Sequence, residues 1–245
     1  MAAAQPLLDI VFFDIDDTLY STTEFAQTAR RNSVIAMVAA GLQLPVDEVF
    51  NELTEVVAEF SSNYGQHYGR LLDRLGPASH EGYNRAVVIA AGVVAYHRTK
   101  EKGMRLLPDV LETLARLARA GVRLGVISAG LRVKQAEKLI RLDALSYFDP
   151  TAIFFSDQMG VSKPNPKIFS MACAAVDVAP ARALYVGDRP THDIAPAGSI
   201  GMQTVHYTGA FGAHRNASAA LDPDFTLEDL TALPRILRED YGLPL

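Results

Sequence analysis

The chain has 245 residues, 49% hydrophobic and 21% charged, with 23 Lys and Arg against 28 Asp and Glu and a net charge of −5. That is globular composition, long enough for one large domain or a core with an inserted module, and without a Lys/Arg block it carries no nucleic-acid footprint. The single Cys173 excludes an intrachain disulfide framework and a cysteine-based zinc site and fits a reducing compartment. Met1 to Pro6 has no basic residue followed by an apolar run, so no signal peptide is expected. The longest apolar run, Ala86 to Tyr96, is too short for a bilayer span and reads as a buried helix. A cytoplasmic protein with no membrane partner is the expectation.

The first strand ends the apolar run Ile10 to Phe13, and Asp14, Asp16 and Asp17 follow within four positions, with Thr18 next. Carboxylates packed this closely repel one another, and burying them unpaired is costly. A hard cation with oxygen ligands, Mg2+ first, is the usual remedy, although an acidic turn that caps the next helix would look the same in isolation. From about Tyr20 to Gly103 the apolar spacing is helical. Glu24 to Ala40 ends at Gly41, Pro45 opens a helix with Asp47 and Glu48 in its first turn, and further helices are expected near Tyr64 to Leu75 and Glu81 to Lys102.

Beyond Leu107 strands and helices alternate. A helix starts at Pro108-Asp109 and ends at Gly121. Val122 to Ile127 is a strand closing on Ser128-Ala129-Gly130, followed by a helix from about Val133 to Leu142. Ala152 to Phe155 is a strand, followed by Ser162-Lys163-Pro164-Asn165-Pro166 and a helix to about Val176. Ala183 to Val186 is a strand ending in Gly187-Asp188, Met202 to His206 is another, and Leu227 to Leu237 is expected to be a closing helix. Such alternation predicts an α/β fold with a doubly wound parallel sheet and right-handed crossovers. Ligands bind such sheets at the carboxyl ends of the strands, and there Asp14, Asp16, Ser128, Lys163 and Asp188 fall in turn. An acidic turn explains one of these positions. A site built from four strand ends explains all of them.

A phosphate ester among these residues would meet what its cleavage requires: an in-line nucleophile, charge neutralisation and a proton for the leaving alcohol. Asp14 is placed to attack as a carboxylate. Asp16 is placed to protonate the leaving oxygen and then activate water. Mg2+ would be held by Asp14, the Asp16 backbone carbonyl and Asp188, with Asp193 near enough to hold a metal-bound water or to ligate. Ser128 and the backbone N–H groups after it, from Ala129 on, suit phosphate oxygens, and Lys163 supplies a fixed positive charge. Taken singly, Ser128 reads as a helix cap, Lys163 as a solvated lysine and Asp193 as a helix N-terminal acid. Asp17 reads as structural, and Arg189 and His192 as loop neighbours.

As a set these residues resemble the haloacid dehalogenase superfamily, phosphatase branch. Asp14-Ile15-Asp16-Asp17-Thr18 matches the first motif, Ser128 the second, Lys163 the third, and Gly187-Asp188 with Asp193 the fourth. The resemblance implies a Rossmann-like core from 1–19 and 104–245, and a helical cap domain from 20–103 that closes over the site and chooses the substrate. It also implies Mg2+ dependence, a phosphoaspartyl intermediate, and Thr18 and Ala129 beside the substrate. Many relatives have Asn where Ala129 stands, so a side-chain contact is missing here. The expected substrate is a small phosphorylated metabolite (a nucleotide, sugar or glycolytic phosphate), handled by a monomer or homodimer. A 2-haloacid dehalogenase would need neither Asp16 nor a metal. A phosphomutase of the β-phosphoglucomutase type would keep Asp16, and a non-catalytic relative would have lost a motif acid. In the cap, His67, Tyr68, Arg70, Arg74, Arg85 and His97 are the candidates for substrate contact.

Overall fold

The computed structural model describes residues 8–61, 63–210, 214 and 216–245, so the reading of Met1 to Pro6 lies outside the described residues. The chain divides into two compact units, Met1–Thr23 with Met104–Leu245, and Glu24–Gly103. No described helix is long and apolar enough to cross a membrane.

The first unit is organised by a six-stranded sheet of β1 (Ile10–Phe13), β2 (Leu124–Ser128), β3 (Ile153–Phe155), β4 (Ala183–Gly187), β5 (Gln203–Tyr207) and β6 (Phe225–Leu227). Their order is β3-β2-β1-β4-β5-β6, and every pairing is parallel. The chain winds outward from β1 to β3, then returns to the other side of β1 with β4, so the switch point lies between β1 and β4. β1, β2 and β4 are buried on both faces, as their unbroken apolar runs require.

The inserted unit holds α1 (Thr22–Ala39, which starts at the end of the first unit), α2 (Val46–Phe60), α3 (His67–Leu75) and α4 (Arg85–Gly103). Val34, Met37, Leu42, Val49, Leu53, Leu71, Leu72 and Val88 form its core. Gly41 ends α1 at φ +115°, and a Cβ there would lie 2.1 Å from the Tyr83 ring, so both the backbone and the contact require glycine. α4 differs from the buried helix expected for Ala86 to Tyr96. Val88 and Gly92 are buried, whereas Val87 and Val94 are 57% and 53% exposed. Its apolar residues are spread round the axis, and one narrow stripe is covered.

The sheet unit resumes with α5 (Pro108–Arg119), α6 (Arg132–Arg141), the short α7 (Ser156–Met159), α8 (Lys167–Ala175), α9 (Ala195–Gly198) and α10 (Leu233–Tyr241). Alternation along the strands assigns the helices to faces. Ile10, Phe12, Ile127 and Tyr185 pack with Ile168, Phe169 and Ala172 of α8. Tyr207, on the opposite face, donates to Asp109 in the first turn of α5 at 2.8 Å. Both faces are therefore covered, as a doubly wound sheet requires. The C-terminal expectation needs correction. Instead of one helix from Leu227 to Leu237, the chain forms β6, a 3-10 turn at Leu230–Ala232 and then α10. Thr208 N–H donates to Leu227 at 2.8 Å, which holds the edge strand. Pro234 lacks an N–H and so sits in the first turn of α10.

Candidate active site

Asp14 follows β1 at the switch point, 5% exposed, and its N–H donates to the Val186 carbonyl of β4 at 2.9 Å. Lys163, on the loop between α7 and α8, reaches Asp14 Oδ1 at 2.9 Å and Asp193 Oδ1 at 2.6 Å. Its Nζ also donates to the Tyr185 hydroxyl at 3.0 Å, and that hydroxyl in turn donates to the Ile127 carbonyl at 2.8 Å. Asp188 follows β4 and Ser128 ends β2, both buried. Asp193 lies in a single widened turn, Pro190–Ile194. A Cβ on Gly187 would sit 2.6 Å from the Asp193 side chain, so glycine leaves the space that carboxylate fills.

Asp14, Asp188 and Asp193 each offer an oxygen within 4.8 Å of the others, a group that could hold a metal ion. Asp188 Oδ1, Ser128 Oγ and Thr18 Oγ1 are buried without a hydrogen-bond partner among the described residues. Asp14 Oδ1 meets Lys163 as an ion pair rather than a well-angled hydrogen bond. The charge balance is unfavourable for three carboxylates and one lysine. Burial pushes Asp14 up to about 6 against the pull of Lys163, and the charges of Asp193 and Asp16 add to the rise. Burial pushes Asp188 up to about 9, reinforced by Asp193, Asp14 and Asp17. For Lys163 burial opposes the charge, but Asp14 and Asp193 outweigh it and raise its pKa. Asp193 is fully buried. Its Oδ1 faces Lys163 and Tyr185, and its Oδ2 accepts from the Arg189 N–H at 3.0 Å.

Asp16 has a separate set of partners. Its carboxylate accepts from Lys138 Nζ at 2.6 and 2.7 Å, from Thr22 Oγ1 at 2.7 Å, from Gln135 Nε2 at 3.1 Å and from the Tyr20 hydroxyl at 3.2 Å. Burial works to raise its pKa, but the Lys138 charge and these donors win and hold it below the ordinary carboxylate range. Asp17, at φ +51°, accepts from the N–H and hydroxyl of Thr23 at 3.0 and 2.8 Å and so ties down the start of α1. Ala129 offers its carbonyl to Gln135 Nε2 at 2.6 Å. His192 and Arg189 make a long 3.4 Å contact beside the Asp188 loop, and burial, then Arg189, lowers the His192 pKa.

The structure thus brings together Asp14, Lys163, Asp188 and Asp193, and sets Ser128 at the same end of the sheet. Lys138, Gln135 and Tyr185 were not singled out from the sequence. Tyr185 reads there as one more apolar strand residue. Lys138 and Gln135 lie 122 and 119 positions from Asp16, and their i, i+3 spacing on α6 is common to any helix. Most of the inserted unit's candidate substrate contacts have partners within that unit. Arg74 pairs with Glu52 and Glu59, Arg85 with Asp73, His67 with the Ser61 carbonyl and Tyr68 with Ser33. Arg70 lies over the Phe60 ring.

Buried carboxylates and a buried lysine meet at the switch point of the parallel sheet. The chain belongs to the haloacid dehalogenase-like hydrolase family, whose model matches residues 8–201. It is 41% identical over 238 residues to a glyceraldehyde 3-phosphate phosphatase of Methanopyrus kandleri, with 95% of this chain and 98% of that protein aligned. It is 38% identical over 235 residues to a glyceraldehyde 3-phosphate phosphatase of Pyrococcus furiosus, with 96% and 95% aligned. A solved structure of a 2-haloacid dehalogenase from Pseudomonas syringae pv. tomato is similar at 25% identity and TM-score 0.62, covering 94% of this chain and 98% of that one.

Proposed function

We propose that this hydrolase is a Mg2+-dependent phosphatase of a small phosphomonoester, glyceraldehyde 3-phosphate first among the substrates to test, and that it works through an aspartyl-phosphate at Asp14. The observation that carries this is the convergence of Asp14, Lys163 and Asp188 with buried polar atoms left over. Unpartnered Asp188 Oδ1 and Ser128 Oγ are costly in a protein interior, and a cation and a phosphoryl group would supply what they lack. The glyceraldehyde 3-phosphate phosphatases of Methanopyrus kandleri and Pyrococcus furiosus, aligned over nearly their whole length, support the substrate class.

All-oxygen donors and the raised carboxyl pKa values fit a hard divalent cation. Asp14, Asp188 and the Asp16 backbone carbonyl would hold it. Bound there, it would neutralise phosphoryl oxygens. Asp193 keeps Lys163 in place and is within reach of a metal-bound water. Lys163 draws charge from the phosphoryl oxygens and holds Asp14 as a carboxylate, while Ser128 and the Ala129 backbone bind phosphate oxygen. Asp14 attacks phosphorus and Asp16 protonates the leaving oxygen. Asp16 then takes a proton from the water that opens the intermediate. The presence of Asp16, which halide displacement would not require, favours phosphoryl transfer. Glu24–Gly103 serves as the cap that selects the substrate.

The test is release of inorganic phosphate from a panel of phosphorylated metabolites, with Mg2+ and with EDTA. Mg2+-dependent release from triose phosphates is expected. Isomerised product without phosphate release, or halide release from 2-haloacids, would replace this reading.

A further inference from the structure

Lys138 belongs to no motif of the site, yet its Nζ contacts both oxygens of Asp16, at 2.6 and 2.7 Å. Both partners are largely enclosed, the Lys138 side chain 18% exposed and that of Asp16 32%. Lys138 is thus more covered than a solvated surface lysine, and its ammonium faces both oxygens of one carboxylate. Gln135, one helical turn earlier on α6, donates to Oδ2 at 3.1 Å and to the Ala129 carbonyl at 2.6 Å. Thr22 donates to Oδ1 at 2.7 Å. The carboxylate is gripped from several sides, and the Lys138, Gln135 and Thr22 contacts together restrict its rotation.

We infer that Lys138, seconded by Gln135, is a positioning residue for the second half of the reaction. It aims Asp16 as the base that clears the aspartyl-phosphate. This rests on the phosphatase reading above. In that half-reaction a water oxygen bonds to phosphorus and its proton passes to Asp16. The bond between phosphorus and the Asp14 oxygen breaks, its electron pair returns to the Asp14 carboxylate, and inorganic phosphate leaves. The donors on Asp16 hold its carboxylate in one orientation, which a base needs if it is to meet the attacking water. The first half-reaction needs Asp16 as an acid, and needs it little when the leaving group is a stable anion.

The two halves separate kinetically. With p-nitrophenyl phosphate and Mg2+, kcat/KM reports steps up to release of p-nitrophenolate, and kcat reports the slower clearance of the phosphoenzyme. Lys138→Met is expected to lower kcat by at least about tenfold, a fraction of what a well-placed base contributes. KM should fall in parallel and leave kcat/KM within about twofold of the parent. Phosphoenzyme trapped by acid quench and read by intact mass should accumulate, and Lys138→Arg should restore part of kcat. Should Lys138→Met not fold, Gln135→Ala, which removes one donor from Oδ2, carries the same signature at smaller amplitude. A fall in kcat/KM would make Lys138 a substrate-binding residue and overturn the inference. So would parent-like kinetics, or a fall in kcat without phosphoenzyme. If the parent enzyme itself formed no phosphoenzyme and released no phosphate, the phosphatase reading would fail first.

Discussion

Lys163→Met keeps the aliphatic stem of the buried lysine and removes its charge. Nζ lies 2.9 Å from Asp14 Oδ1 and 2.6 Å from Asp193 Oδ1, and the three side chains are 4%, 6% and 0% exposed. At an effective dielectric constant of about 20, two unit charges 4 Å apart interact by about 4 kcal/mol. Removing one partner of a buried pair costs about 3–5 kcal/mol, because the other charge is left stranded. In a chain of this length that corresponds to a drop in Tm of about 6–20 °C. The drop should depend on pH in a fixed direction. Asp14 already titrates at about 6 with Lys163 beside it, so without the lysine its folded pKa rises further above the unfolded value. A carboxyl with a raised folded pKa contributes its full stability below the unfolded pKa and loses it as pH rises through the folded one. The variant can escape part of the penalty at pH 6 by taking a proton, and less of it at pH 8. Thermal melts in EDTA at both pH values, followed by circular dichroism, measure this. A variant that melts with the parent at pH 8 would refute the view that Lys163 is the counter-charge of this cluster.

Asp14→Asn should reduce phosphate release to background, since an amide cannot form the acyl phosphate; near-parent turnover would remove Asp14 as nucleophile. Asp188→Asn should raise the Mg2+ concentration for half-maximal activity by more than about tenfold, and an unchanged titration would remove it from the ligand set. Asp188 titrates at about 9 and Asp14 at about 6 in the metal-free fold. Their burden on stability therefore grows from pH 6 to 9, and the Tm increase on adding Mg2+ should be larger at pH 8.5 than at pH 6. An equal or smaller increase at pH 8.5 would contradict it. Tyr185→Phe removes the hydroxyl between Lys163 and the Ile127 carbonyl and should cost about 1–3 kcal/mol in a urea melt.

The central strands were legible in the sequence because a strand buried on both faces must be apolar throughout, and Ile10–Phe13 and Ala183–Gly187 are. The strand-end residues were legible because a charged group directly after such a run has few structural uses. β6 was not. It has three residues at the sheet edge, Phe225–Leu227, none of them fully buried, and so carries no apolar run to read. Lys138 and Tyr185 were invisible for another reason. Each acts on a residue distant in sequence, and a lysine on a helix or a tyrosine in a strand looks ordinary until the fold sets its partner beside it. α4 shows the opposite error, since a run rich in valine implies burial only when its residues share one face.

The strand order also bears on how the chain is made. β1 is the first strand synthesised, and its neighbours are β2, from Leu124, and β4, from Ala183. The four consecutive apolar residues of β1 therefore leave the ribosome long before either pairing surface exists. The helical insertion, whose contacts are local in sequence, can reach its final form in the meantime. Until β2 emerges, an unpaired hydrophobic strand followed by Asp14 and Asp16 waits on a nascent chain, and until β4 emerges one of its edges stays open; such segments are where aggregation starts. Truncation anywhere before 183 therefore leaves at least one edge of β1 unpaired.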